Sequence, residues 1–196
     1  MNKLRHFHGA IPFFIAVFLN AFIDLGHKIV IQNTVFKLYD EQTQVIYTAI
    51  LNGLILLPFI ILLSPAGWLS DTFNKVNVMR KSAVAAVVLC SSIVISYHMG
   101  WFEMAFVTTF LLAAQSAIYS PAKLGYIKQM FGKERLGEAN GIVSALSIIA
   151  ILSGIFVFSI FFETLYTTSA VNEADILQAI APIGWILLLT SIVNLL

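Results

Sequence analysis

"IPFFIAVFLNAFIDLGHKIVI", residues 11–31, is an apolar run long enough to cross a bilayer, and it carries Asp24, His27 and Lys28 within it. Crossing the hydrocarbon core takes roughly 20 apolar residues as a helix, so the stretch reads as a first membrane span. Ionisable side chains at that depth are costly and usually mark a substrate or ion path. On a helix Asp24 and Lys28 stand one above the other, with Asn20 one turn below and His27 beside them, giving one polar stripe on an otherwise apolar helix. Two readings of the stripe stay open. Asp24 and Lys28 form a neutralised pair that fixes helix packing, or Asp24 takes part in coupling to a cation or proton, or in orienting a zwitterionic headgroup, with His27 able to titrate near neutral pH.

The rest of the chain has the same character. A mean hydropathy of +0.90, 59% hydrophobic residues and 11% charged residues place the 196 residues outside the range of soluble domains. Further apolar runs at 45–66, 82–99, 101–121, 139–162 and 179–196 bring the expected spans to six. Backbone polar groups in lipid must be satisfied within the segment, and these runs are too long and too uniformly apolar for barrel strands. The expected fold class is therefore all-α, a polytopic membrane protein of six transmembrane helices.

Composition also excludes several function classes. The net charge is +1 and no basic stripe with interleaved aromatics is present, which argues against nucleic acid as a partner. The single cysteine, Cys90, lies in an apolar run and permits no intramolecular disulfide. No Cys and His cluster stands at ligand spacing, so no metal or other cofactor is expected. The start, "MNKLRHFHGAIPFF" (1–14), is basic and then apolar like a signal peptide, but the run lacks a small-residue cleavage pattern and reads as an uncleaved span.

Orientation is set by the basic residues. Lys3 and Arg5, then Lys75, Arg80 and Lys81, then Lys123, Lys128, Lys133 and Arg135 put nine of the 11 on one side, with Lys37 opposite and Lys28 in the membrane. The positive-inside rule assigns that side, and the amino terminus, to the cytoplasm. Asp40, Glu41, Glu103, Glu163, Glu173 and Asp175 fall on the outer side. The outer segment "ETLYTTSAVNEADILQAI" (163–180) is the longest polar stretch and has room for an interfacial helical turn.

Pro121 is expected to end or kink the fourth span, with Ser120 capping the next segment. Lys123 would then sit at the interface, meeting a phosphate or simply snorkelling. Thr108, Gln115 and Tyr119 form a sparse polar face on that span, on which Gln115 either lines a cavity or packs. Asn140, Ser144, Ser147, Ile151 and Gly154 share a face of small residues suited to close helix approach.

Three segments carry a family resemblance. "GWLSDTFNKVNVMRKS" (67–82), with Gly67, Asp71, Lys75 and Arg80, resembles the loop between the second and third helices of major facilitator transporters. In that family the glycine permits close helix approach, and the acidic residue with nearby basic ones latches the cytoplasmic side, which implies a gate role for Asp71. The usual arginine after the aspartate is Thr72 here, and the usual second glycine is Asn74. "AIYSPAKLGYIKQMFGKERLGEANGIVSALSIIAILSG" (117–154) resembles the lysophospholipid transporter branch, as does "FLNAFIDLG" (18–26). The resemblance places Ser120, Pro121, Lys123 and Asn140 about an interface loop and Asp24 at a cation-coupling position, although Lys28 one turn away departs from that branch.

The resemblance implies the N-terminal six-helix half of a major facilitator fold, residues 1–196, in a bacterial inner membrane. It would flip lysophospholipid by alternating access, with membrane lipid and a coupling cation or proton as partners. The run "GWILLLTSIVNLL" (184–196) has no basic flank, so a C-terminal half is expected to be missing. The alternatives are a major facilitator protein moving a small polar solute, the membrane module of a polypeptide fused to a phospholipid acyltransferase and an acyl-activating enzyme, or a scaffold. The last is opposed by the charges of the first span. No nucleophile with a placed base and no phosphate-binding loop occurs, so no enzyme activity is expected of these residues.

Overall fold

The computed structural model describes residues 9–166 and 170–196, and these form eight helices. In chain order they are α1 (Ala10–Leu38), α2 (Glu41–Ile61), α3 (Leu63–Thr72), α4 (Lys75–Met99), α5 (Phe102–Phe131), α6 (Leu136–Leu165), α7 (Glu173–Ala179) and α8 (Ala181–Leu195). Five of them, α1, α2, α4, α5 and α6, are long and apolar enough to cross a membrane. The pair α7 and α8, bent by 58° at Ile180, makes a sixth span when counted as one. The chain is thus the all-α polytopic membrane protein expected. Lys3 and Arg5, on which the orientation partly rests, lie outside the described residues.

Local chemistry explains the breaks. Pro65 lies in the first turn of α3, where its missing N–H costs nothing, so α2 stops at Leu62 and a new helix starts. Pro182 does the same at the start of α8. Asp40 caps α2 by accepting from the amides of Gln42 and Thr43, and Asn74 caps α4 through Val76 and Asn77. Asn172 and Asp175 form a capping box on α7. Gly100, at φ 69°, ends α4 in the left-handed region, and a Cβ there would come 2.6 Å from that of Ala174 on α7.

Two expectations about element boundaries are corrected. Residues 67–82 are not a loop: Gly67 and Asp71 belong to α3, Lys75 and Arg80 to α4, and the turn is only Phe73–Asn74. Ser120, Pro121 and Lys123 do not surround an interface loop, because α5 runs through Pro121 to Phe131, and Asn140 lies inside α6. A membrane helix tolerates an interior proline where neighbouring groups re-satisfy the freed carbonyl, and the actual turn is at Gly132–Arg135.

The helices run back and forth between two ends. One end gathers the start of α1, the α3–α4 turn and the α5–α6 turn; a Cβ on Gly9 would meet Met130 at 3.7 Å and Tyr126 at 3.8 Å. Lys75, Arg80, Lys81, Lys128, Lys133 and Arg135 lie there and make it the basic end. At the other end Lys37 pairs with Glu163 at 2.9 Å, and the Tyr39 hydroxyl donates to Glu173.

α1 lies along α6, while α4 lies along α5 and α8. The α1–α6 seam is tight: a Cβ on Gly154 would come 3.0 Å from the Phe22 carbonyl oxygen, and one on Gly26 would collide with the Phe158 ring. The buried face of α6 is Ala139, Val143, Ala150, Gly154, Phe158 and Phe162, whereas Ser144 is exposed. Of the small-residue face read from sequence, Gly154 makes the close approach. The larger apolar core includes Ile23, Val30, Ile93, Tyr97 and Phe158, and a smaller one at the basic end includes Phe13, Val17, Ile127 and Phe131. Outward-facing residues such as Val45, Ile60, Val88, Leu152 and Phe156 form the apolar exterior a bilayer requires.

Candidate transport site

Asn20, Asp24 and His27 of α1 meet α5, whereas Asn33 and Lys37 nearer its end turn to α6. Asn20 Nδ2 donates to Ser116 Oγ at 2.7 Å and reaches Asp24 Oδ2 at 3.4 Å. Gln115 Nε2 donates to Asn20 Oδ1 at 3.2 Å, and the Ser116 hydroxyl donates to Asp24 Oδ2. The Ser116 Oγ also stands 3.3 Å from Gln115 Oε1, but its single proton goes to the closer Asp24 carboxylate, so the donors run from Gln115 through Asn20 and Ser116 to Asp24. An ionised carboxylate accepts only, so it fits the end of such a chain. Groups of this kind are held in membrane interiors by mutual hydrogen bonding.

Two cavities flank the cluster. Asp24 lines one of about 110 Å³ with Leu25, Ile55, Phe59, Thr109, Leu112 and Ala113, between α1, α2 and α5. The Thr109 hydroxyl in it is buried and has no partner. Gln115 lines the other, about 340 Å³, with Ser82, Lys81 and Asn77 of α4, Leu69 of α3 and Ile118 of α5. Its walls combine apolar side chains with a few polar groups, the usual makeup of a ligand pocket.

The stripe on α1 divides between two tasks. His27 is fully buried; its Nε2 donates to the Ala105 carbonyl at 2.9 Å, which leaves Nδ1 to accept from the Tyr97 hydroxyl at 2.9 Å. A carbonyl cannot donate, so this pattern selects the neutral ring with its proton on Nε2. His27 thereby ties α1 to α4 and α5 and contacts neither cavity. Lys28 is half-buried and forms no ion pair with Asp24, because the carboxylate turns to Ser116 on α5. The neutralised Asp24–Lys28 pair weighed from sequence is absent.

Ser116 and Thr109 were not legible as site residues. They lie seven residues apart on one face of α5, and that spacing was the available signal. The face read from sequence began instead at Thr108, whose hydroxyl returns to the Met104 carbonyl at 2.7 Å. Tyr119 is buried with a hydroxyl that has no partner, and Lys123 Nζ stands 6.0 Å from its ring centroid. Ser120 and Asn140 are half-buried on α5 and α6, away from both cavities.

The gate residues gather at the basic end without forming a charge network. Lys75 Nζ donates to the Ser70 carbonyl at 3.1 Å, satisfying the last turn of α3, and Asp71 forms no ion pair with Lys75 or Arg80. Gly67 has nothing within 4 Å of where a Cβ would stand, so the close approach implied by the resemblance is not made among the described residues.

Comparison with known proteins agrees with this architecture. The chain is 32% identical over 105 residues to the lysophospholipid transporter LplT of Photorhabdus laumondii. That stretch is 54% of this chain and 25% of the relative, so the chain spans well under two thirds of its length. No solved structure matches. Residues 13–196 match the Major Facilitator Superfamily, nearly the whole length of the helical bundle, and the chain belongs to that family.

Proposed function

We propose that this chain is the N-terminal six-helix half of a transporter that flips a single-chain phospholipid across a bacterial inner membrane, with the basic end and the amino terminus in the cytoplasm. One observation carries the reading: the hydrogen-bonded chain Gln115–Asn20–Ser116–Asp24 lies in the membrane interior between two cavities whose walls are otherwise mostly apolar. An amphiphile with one acyl chain and a small polar headgroup suits such a surface. The similarity to LplT supports the same substrate class.

In alternating access, this half rocks against a second half about a midplane cavity. Asp24 receives a coupling cation or proton, or the headgroup's amine, where the donor chain ends. The α3–α4 turn, with Gly67, Asp71, Lys75 and Arg80, packs against the second half when the cytoplasmic side closes. The open space at Gly67 and an Asp71 with no ion pair among the described residues support that role.

The test is uptake of labelled lysophosphatidylethanolamine by spheroplasts expressing the full-length gene, beside an empty-vector control. Uptake should depend on the gene, fall at least about tenfold in Asp24→Asn, and fall severalfold in Ser116→Ala, which removes one hydrogen bond to the charge. An inserted full-length protein with no uptake above control would overturn the lipid assignment.

A further inference from the structure

The larger of the two cavities beside the Asp24 cluster, about 340 Å³, is shaped by one face of α4. Asn77, Lys81 and Ala85 are four residues apart, with Val78 and Ser82 alongside, so the five side chains share that face. Asn77 and Lys81 are exposed and form the rim, whereas Ser82 and the facing Gln115 of α5 are buried, at 5% exposure each. The Ser82 hydroxyl forms no hydrogen bond among the described residues, yet it is not sealed off: it keeps accessible surface, and this cavity is the space it borders. Lys81 likewise has neither an ion pair nor a hydrogen bond among the described residues, and none of them brings an acidic side chain to the cavity. A cation, a free hydroxyl and amide groups without a carboxylate make a surface for an anion. The walls of Leu69, Phe73, Val78 and Ile118 suit a ligand that is apolar elsewhere.

We propose that this cavity holds the phosphate of the transported lipid's headgroup and that Lys81 selects for it, which rests on the chain being a transporter of single-chain phospholipid. The Lys81 ammonium meets the phosphate oxygens at the rim as a point charge, the Ser82 hydroxyl donates to one of them from the buried wall, and the Asn77 amide supplies a further N–H. A space of about 340 Å³ is at the small end for ligand pockets, so the headgroup and its glycerol fill it and the acyl chain stays in the bilayer. Gln115 borders the cavity and is also the first donor of the chain that ends at Asp24, so the phosphate lies beside the network of the coupling residue.

Displacement of labelled lysophosphatidylethanolamine from the purified full-length protein in dodecyl maltoside reads the site. Three competitors are compared: the unlabelled lysophospholipid, a monoacylglycerol of the same chain, which lacks the phosphate, and glycerophosphoethanolamine, which lacks the chain. On the wild type the lysophospholipid should displace at least about tenfold more strongly than either of the others. Lys81→Gln should lose about tenfold in affinity for the lysophospholipid and none for the monoacylglycerol, Lys81→Arg should restore the preference, and Ser82→Ala should lose about threefold to fivefold. Lys128→Gln, an exposed charge at the same end but outside the cavity, should change neither affinity. A preference for the phosphate that survives Lys81→Gln overturns the proposal, as does an equal loss in Lys81→Gln and Lys128→Gln, which marks diffuse surface charge. Glycerophosphoethanolamine displacing as strongly as the lysophospholipid would overturn the lipid in favour of a soluble phosphoester. If the wild type binds and takes up the lysophospholipid and Lys81→Gln matches it in both, this inference alone falls; if the wild type does neither, the transport of lysophospholipid falls with it.

Discussion

His27 and Asp24 stand three residues apart in one polar stripe, yet their surroundings give them opposite work. Both nitrogens of His27 are used within the protein, one by a carbonyl and one by a hydroxyl, so the ring acts as a tie between three helices. Replacing it by phenylalanine leaves the Ala105 carbonyl and the Tyr97 hydroxyl unmatched and should destabilise the bundle by about 1–3 kcal/mol. Tyr97→Phe removes one bond and leaves only Nδ1 unmatched, so it should cost about 0.6 kcal/mol, the average for a hydrogen bond between membrane helices. Unfolding both variants in mixed micelles against the wild type checks the order. Equal stability of His27→Phe and wild type would remove His27 from the packing scheme.

Helix contacts are decided by where side chains are missing as much as by where they are present. Gly154 lets α6 meet the backbone of α1 at Phe22, and lipid offers no hydrophobic drive to compensate for a lost fit. Gly154→Leu should therefore destabilise by about 2–3 kcal/mol through overpacking, whereas Gly53→Leu, with nothing within 4 Å, should be nearly neutral. Thermal aggregation of the two detergent-solubilised variants distinguishes them.

At the start of α2, hydrogen bonds from Thr43 hold the Asp40 carboxyl below the usual carboxylate range. Because the folded value is the lower one, the cap's contribution is complete above the unfolded value of about 4 and disappears as pH falls through the folded value. Asp40→Asn keeps a good cap that does not titrate. The stability of the wild type relative to Asp40→Asn should fall on acidification below about pH 4, as measured by unfolding across that range.

The bundle as a unit has a basic end and an acidic end, and the positive-inside rule turns that asymmetry into an orientation. In a Cys90→Ser background, where Cys90 is itself buried, cysteines at Asn77 and at Gln42 report opposite ends. The Asn77 cysteine should react with an impermeant maleimide only in inside-out vesicles and the Gln42 cysteine only in right-side-out ones. The reverse pattern would invert the topology. The Lys37–Glu163 pair that joins α1 to α6 at the acidic end is partly solvated, with exposures of 30% and 56%, and such pairs contribute little on their own. The apolar seams and the His27 tie carry the assembly.

Hydropathy alone determined that this chain crosses a membrane, about where its spans fall, and which end is basic, because the hydrocarbon core imposes a length and a polarity on any helix that enters it. It also marked Asn20, Asp24 and Gln115, since polar groups at membrane depth stand out in a sequence however they are arranged. Only the tertiary structure decided their partners. Ser116 looks like any small residue until the antiparallel packing of α1 and α5 sets its hydroxyl between Asn20 and Asp24. His27 and Lys28 share the stripe in sequence but not its function, because a helix fixes spacing along its own surface and says nothing of which neighbour lies opposite. Pro121 reads as a helix end in isolation and lies in mid-helix in the bundle, because a proline removes one backbone hydrogen bond and the rest of the α5 ladder is kept.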